Sequence, residues 1–419
     1  METTSQSSSR RHTTSLELDK TIDRIRQLPN FQRFLLPPTA SELMAATSPM
    51  QSIVLINFDF LRCDAFLIQQ HNIRILNLPG VHDLEMCKKI ISLTSHSFTK
   101  HLLLERLKWL WDVVAGPVLD ALRFLEAVTT GEWPRVCWIL TGPFSSLPIH
   151  AAGYHCTPGS QTVLDRVVSS YSPSIKAPLY ASRKAQRSRG RAFDKTVLVS
   201  MNTIPGCSGL LFAKAEMIEL DILLPASISR ETLQEPLKER VMTSLDGCPI
   251  SHFAGHGKSD RSDPSNSTLL MADWQTNPLT VKDLVSLKLH QNPPLLAYLS
   301  ACSTGLNLTT NLIDEGIHLM SACQLAGFRH VIGSLWEVSD KHCVDVAKDV
   351  YNAMIKAGMS DASVSQGLHN AIRNLRDGPQ GGNCTTREAR DARLIEVEES
   401  QESRIGDPIV WATYIHIGI

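Results

Sequence analysis

The chain lacks a surplus of charge of either sign: 41 Lys and Arg face 42 Asp and Glu over 419 residues, a formal net charge of -1 before its 15 His are counted. A protein that grips the phosphates of nucleic acid or the headgroups of an acidic membrane needs excess cations, so neither partner is expected. Long apolar runs are missing too. The longest stretch without a charged residue, Val136 to Leu164, is broken by Gly142, Pro143, Pro148, Gly153 and Pro158 and fails as a membrane-spanning helix. None of the 10 cysteines (63, 87, 137, 156, 207, 248, 302, 323, 343 and 384) stands in a C-x-x-C pair, and Met1 is followed by Ser, Thr and Arg instead of the apolar core of a secretory signal. Reduced thiols in a cytoplasmic compartment are therefore expected, and a disulfide framework is not. No serine lies in a G-x-S-x-G turn, which disfavours a serine hydrolase.

What is present is an ordinary globular composition, 43% apolar and 20% charged, long enough for roughly two or three domain-sized units. Residues 1–15 are polar and aperiodic and are expected to be a disordered tail. Residues 16–130 read as a mixed α/β extension. It holds a short helix from Leu16 that ends before Pro29, a helical piece at Glu42 to Ala46, and paired strands at Ser52 to Phe58 and Ala65 to Gln69. A largely buried helix follows at Lys100 to Val114, broken or kinked at Gly116-Pro117 and resumed over Val118 to Ala127.

From Pro134 onward short apolar runs alternate with helical stretches. The strands are expected at Val136 to Leu140, Thr196 to Ser200, Pro249 to Ala254, Leu295 to Ser300, His330 to Leu335 and Ile409 to Ile417. The helices are expected at Ala213 to Leu224, Arg230 to Leu245, Val281 to Leu287, Glu315 to Ala326, His342 to Ala357 and Ala362 to Leu375. Because the runs are continuously apolar and not alternating, the fold class is α/β, a sandwich with a mostly parallel central sheet covered on both faces. Ala181 to Lys195, rich in Arg and Lys, and Asp377 to Asp407 read as surface loops.

In an open α/β sheet ligands gather beyond the carboxyl ends of the strands. Two such ends carry chemistry. Ile250-Ser-His-Phe-Ala-Gly-His-Gly257 delivers His256 between two glycines, and Leu295-Leu-Ala-Tyr-Leu-Ser-Ala-Cys-Ser-Thr-Gly305 delivers Cys302 into a Ser/Thr/Gly turn. A thiol becomes a strong nucleophile when an imidazole within hydrogen-bond reach takes its proton. The backbone N–H groups of Gly257 and Cys302 are candidate donors to the oxyanion of a tetrahedral intermediate.

With these residues in view, the chain resembles the CHAT domain, a caspase- and separase-related cysteine peptidase family. The resemblance rests on His252-Phe-Ala-Gly-His-Gly257, Leu299-Ser-Ala-Cys-Ser-Thr-Gly305, Gly333-Ser-Leu-Trp-Glu-Val-Ser-Asp340 and Trp411-Ala-Thr-Tyr-Ile-His-Ile-Gly418. Gly142-Pro-Phe-Ser-Ser-Leu-Pro-Ile-His-Ala-Ala152 and Lys214-Ala-Glu-Met-Ile-Glu219 extend it, so that it runs from about residue 131 to the end, in the manner of fungal members. The resemblance implies a caspase-like three-layer sandwich over residues 131–419, with its catalytic half at about 196–419, and a cysteine endopeptidase with the dyad His256 and Cys302. It also implies a protein or peptide substrate and an activating sensor or repeat-containing partner; the alternative is a catalytically silent signalling module. No cofactor and no metal is needed for such hydrolysis.

Other residues have plainer readings. His252 and His256 are four apart, as zinc ligands on one helix face would be, but the preceding run is a strand and no glutamate accompanies them, so His252 is expected either in the core or supporting the site from behind. Asp340 either favours a helix N-terminus behind Ser339 or, as the similarity of Trp336-Glu-Val-Ser-Asp340 to a separase segment implies, lines a substrate pocket that pairs with a basic side chain at the cleavage site. Glu216 and Glu219 share a helical face that either is solvated, the favoured reading, or holds a loop near the site, and Ser300, Ser303 and Thr304 are expected around the turn that presents Cys302. Thr280 with Asp283, and Asp314 with Glu315, are capping signals.

Overall fold

The computed structural model describes residues 4–59, 61–81, 99–129, 131–156, 161–179, 194–260, 262–287, 289, 292–301, 304–305, 318–337, 340–378 and 406–418. Cys302, Ser303, Asp314, Glu315, Ser339, the side chain of Asp340 and most of the two expected surface loops lie outside the described residues.

Residues 1–43 and 44–419 form two compact units. In the first, α1 (Thr4–Arg26) is longer than expected and takes in residues 4–15, which were expected as a tail. The apolar periodicity that signals the helix starts only at Leu16, but a nucleated helix propagates through Ser, Thr, Gln and Arg at little cost. Thr39 and Glu42 exchange bonds at the start of α2 (Ala40–Ala45) in a capping box.

The second unit is built on one 11-stranded sheet in the order β3-β2-β1-β4-β5-β14-β13-β12-β8-β6-β7. The strands β1 (Gln51–Phe58) and β2 (Cys63–Gln69) form the expected antiparallel pair. A third, β3 (Asn72–Asn77), was not expected; its half-exposed residues make the edge. Helix α3 (Lys100–Leu110) passes into a π-helical turn, Trp111–Ala115, and then α4 (Gly116–Leu122). Pro117 has no N–H to give and its ring crowds the carbonyl one turn back, so the helix widens and Gly116 N–H bonds Trp111 O instead of breaking.

β4 (Arg135–Leu140) pairs in parallel with β1, so the sheet runs without interruption through the boundary expected near residue 130. It is followed by β5 (Val168–Tyr171), β6 (Lys195–Ser200) and helix α5 (Ala213–Leu223). The helix expected over Arg230 to Leu245 is in fact an edge strand, β7 (Ser229–Gln234), and a helix, α6 (Lys238–Leu245). Pro236 separates them, since it drives the preceding residue out of the helical region. Strand β8 (Ile250–Ala254) leads into a small antiparallel sheet, β9 (Gly257–Lys258), β10 (Thr268–Leu269) and β11 (Leu279–Thr280). Helix α7 (Val281–Ser286) carries the Thr280–Asp283 capping box.

β12 (Leu296–Ser300), α8 (Leu319–Ala326), β13 (His330–Ser334), α9 (Asp340–Lys356) and α10 (Asp361–Asp377) follow. The strand expected from Ile409 begins later: Asp407 caps a helical turn, α11 (Pro408–Trp411), through Ile409 N–H, and β14 (Tyr414–Ile417) comes after it. In the 11-stranded sheet neighbouring strands are parallel except β1–β2, β2–β3 and β13–β14. Helices α5, α9 and α10 cover one face and α7 and α8 the other, giving the caspase-like three-layer sandwich. The core strands β6, β8, β12 and β13 are buried almost throughout, which is why they read as unbroken apolar runs.

Candidate functional site

The two strand ends singled out by the sequence are neighbours in the sheet. Parallel β8 and β12 place Ala254 opposite Ser300, and the ladder continues one residue further, with Gly255 N–H donating to Ser300 O at 3.1 Å. His256 and Cys302 each follow this matched pair by two residues in the chain. A crevice opens at this level between Gly255, Ser300, Ala301, Glu216, Cys343 and Tyr414.

His256 is half-buried, and its Nε2 lies 2.9 Å from the carbonyl of Ser208. A carbonyl only accepts, so Nε2–H is the donor, and in the neutral ring the lone pair is on Nδ1. That is the tautomer a general base requires. The Ser208 carbonyl sits on a loop that is itself tied down: Met201 N–H donates to Ala254 O at 2.9 Å, Leu210 N–H to Asn202 O at 2.9 Å, and Trp274 Nε1 to Pro205 O at 3.2 Å. Gly255 is required by this packing, because a Cβ there would lie 2.9 Å from Cβ of Met201 and 2.6 Å from the Phe253 ring.

Gly257 begins β9. Leu270 N–H donates to His256 O, so Gly257 and Leu269 are a non-hydrogen-bonded pair, and the N–H of Gly257 points away from β10. The residues flanking Cys302 and Ser303 are pinned to the end of β13. Ser334 Oγ donates to Ala301 O at 3.0 Å, Ser334 N–H to Thr304 Oγ1 at 3.0 Å, and Gly305 N–H to Ser334 O at 2.9 Å. Thr304 and Gly305 are thus tied to the end of β13. Gly333 permits the approach, since a Cβ there would collide with Thr304 Oγ1.

Ser300 and Glu216 behave differently from expectation. Glu216 is not solvated but 1% exposed, with one oxygen 2.9 Å from His252 Nε2 and the other accepting the Ser300 hydroxyl at 2.9 Å. The apolar stripe of α5 runs through Ala213, Met217 and Leu220, and Glu216 falls inside it. A carboxylate within a buried stripe signals internal donors, and that was the clue available in the sequence. Glu219 does remain at the surface, paired with Lys348 at 2.9 Å.

His252 is fully buried, as expected, stacked on Tyr298 with ring centroids 4.4 Å apart and with Nδ1 3.3 Å from the Tyr351 hydroxyl. Burial, and next the charge of Glu216, raise the Tyr351 phenol well above its ordinary pKa. The two histidines of the H-x-x-x-H spacing therefore face separate partners, Glu216 and Ser208. Among the described residues no cluster of three or more His, Cys, Asp or Glu is arranged to hold a metal. Nor is any described helix long and apolar enough to cross a membrane. Asp340 is the first residue of α9.

Residues 104–419 match the CHAT domain family model. The chain belongs to the CHAT domain family. The match begins inside the segment expected as a separate extension. Two structures of the Saccharomyces cerevisiae separase–securin complex share the fold of this CHAT protein. The first, at 3.0 Å resolution, aligns with a TM-score of 0.58 at 10% identity, over 95% of this chain and 32% of the other. The second, at 2.6 Å resolution, aligns with a TM-score of 0.54 at 10% identity, over 94% and 32%. This chain thus spans about a third of the length of those it matches. An Arg-specific cysteine proteinase, gingipain R, aligns over 79% of this chain and 69% of its own at 10% identity, but its TM-score of 0.41 is too low to bear on the fold. No curated protein matches the CHAT chain in sequence.

Proposed function

We propose that this CHAT protein is a cysteine endopeptidase in which His256, through Nδ1, takes the proton of Cys302, and the thiolate attacks a peptide carbonyl. The acyl-enzyme forms as the amine leaves with a proton from His256, and water then releases the carboxylate product. The N–H groups of Gly257 and Cys302 are the proposed oxyanion donors, and loss of one is expected to cost on the order of a hundredfold in turnover. The observation that carries this reading is the anchored tautomer of His256 beside a strand end in register with the one that leads to Cys302.

The substrate is proposed to be a protein segment in extended form, with Asp340 as the candidate partner of a basic side chain at the cleavage site. An activating protein partner is also proposed; that the separase structures are complexes with securin supports a protein partner in general and says nothing of activation. The reading needs no cofactor.

The test is an irreversible thiol-directed peptide probe, with adducts located by mass spectrometry. Labelling should concentrate at Cys302 and vanish in His256→Ala. Burial pushes the thiols of Cys137 and Cys323 up to about 12, so these two should stay unlabelled in the folded chain. Labelling of Cys302 no faster than that of half-buried Cys156 or Cys207 would refute the reading and leave a silent interaction module.

A further inference from the structure

The polar cluster behind the crevice has no part in the reaction as written above. Glu216 reaches in from α5 and spends both carboxylate oxygens on groups from two different strands, His252 of β8 and Ser300 of β12, each at 2.9 Å. These are the strands that continue to His256 and to Cys302. The His252 ring cannot turn away from the carboxylate, because Tyr298 stacks on it at an interplanar angle of 12° and Tyr351 holds its other nitrogen. Backbone bonds already fix the lateral spacing of β8 and β12; the side-chain bridge adds a constraint from the middle of β8, at His252, to the last residue of β12, Ser300.

We propose that Glu216 is a positioning residue for hydrolysis. By clamping His252 and Ser300 to one rigid group it fixes the relative placement of the two strand ends, and with it the meeting of base and nucleophile. This rests on the His256–Cys302 reading. A proton passes between heavy atoms only at roughly 2.6–3.2 Å, and a misplacement of about 1 Å can cost on the order of a hundredfold. Among the described residues Glu216 bonds His252 and Ser300 and not His256, so its role is to act through them.

The experiment measures iodoacetamide alkylation of Cys302 in the full chain between about pH 5 and 9, with Cys156 as the internal control. In the wild type the pairing with His256 should hold the alkylation midpoint well below the roughly 8.5 of an isolated thiol, and His256→Ala should abolish that displacement. Glu216→Ala is expected to slow alkylation at pH 6.5 about tenfold or more and to move the midpoint toward the isolated-thiol value. Glu216→Gln can still accept from His252 and bond Ser300, and should stay within about threefold of the wild type.

Ser300→Ala, a small change that leaves α5 intact, removes one arm of the clamp and should shift the profile in the same direction by a smaller factor. If Glu216→Ala fails to fold, Ser300→Ala carries the test. Wild-type profiles in the folded variants, while His256→Ala is impaired, overturn the role of Glu216 alone. No difference between wild type and His256→Ala overturns the dyad and the clamp together.

Discussion

Acid should unfold this protein through its buried histidines, and His150 and His369 make the case quantitatively. Both line a small cavity where β5 meets β14, with Ser169, Tyr171, Ser365 and His416. The Tyr171 hydroxyl accepts His150 N–H at 3.0 Å and lies 2.7 Å from His150 Nδ1, so it donates its own proton there; Nε2 of His150 then carries a proton with no partner among the described residues. His369 packs edge-on against Trp133, with ring centroids 4.6 Å apart. Burial first, and then the neighbouring charge of His155, hold His150 down to about 3; burial and then Arg373 hold His369 down to about 3. Asp165 opposes that shift at His369, while Arg376 and Arg135 add to it.

Both groups titrate near 6.5 when unfolded. The folded state therefore keeps them neutral while the unfolded chain binds protons, so their contribution is complete above about pH 6.5 and is lost as the pH falls from there toward about 3. At pH 4.5 each has cost roughly 2 to 3 kcal/mol, and the pair about 5, which is comparable with the whole stability of many domains. Urea unfolding between pH 7 and 4.5 measures the slope. His369→Phe keeps the contact with Trp133 and removes one proton, so its slope should be shallower by about 1.4 kcal/mol per pH unit. Equal slopes, or an NMR titration of His369 near 6.5 in the folded chain, would refute the reasoning.

Gly255→Ala forces a Cβ to within 2.9 Å of Met201 and should cost about 1 to 3 kcal/mol, read as a lower Tm, with loss of Cys302 labelling because the loop bearing Ser208 shifts. Arg376 is buried and bonds half-buried Asp165 at 2.7 and 3.1 Å and exposed Asp377 at 2.6 Å; among the described residues Arg376→Ala leaves Asp165 only Thr162 and Arg373 and should cost about 1.5 to 3 kcal/mol in urea unfolding. A loss below about 1 kcal/mol would show the network to be exposed in solution. Asp340→Asn should abolish cleavage after Arg or Lys in a peptide library while Cys302 stays reactive; an unchanged profile would remove Asp340 from recognition.

The sequence made the sheet and its ends legible because buried parallel strands leave a signal that needs no partner: a short apolar run followed by small or polar residues, as at Ile250 to Gly257. It misread elements whose state depends on what lies beside them. Arg230 to Gln234 has the charges of a surface helix and became a strand because β6 offered it a free edge. Glu216 carries a hint of internal donors in its place within an apolar stripe, but only the two strands beside it identify them. The carbonyl of Ser208 leaves no trace in residue type at all, since every residue has one.

The sequence by itself determined the α/β class, the family and the candidate pair His256 and Cys302, because spacing within a strand and its turn is a local property of the chain. Only the tertiary structure decided that Ala254 stands opposite Ser300, that the proton of His256 sits on Nε2, and that Glu216 is buried between the strands. Those facts come from strand register and from hydrogen-bond partners between 36 and 84 positions apart in the chain, which no local pattern encodes.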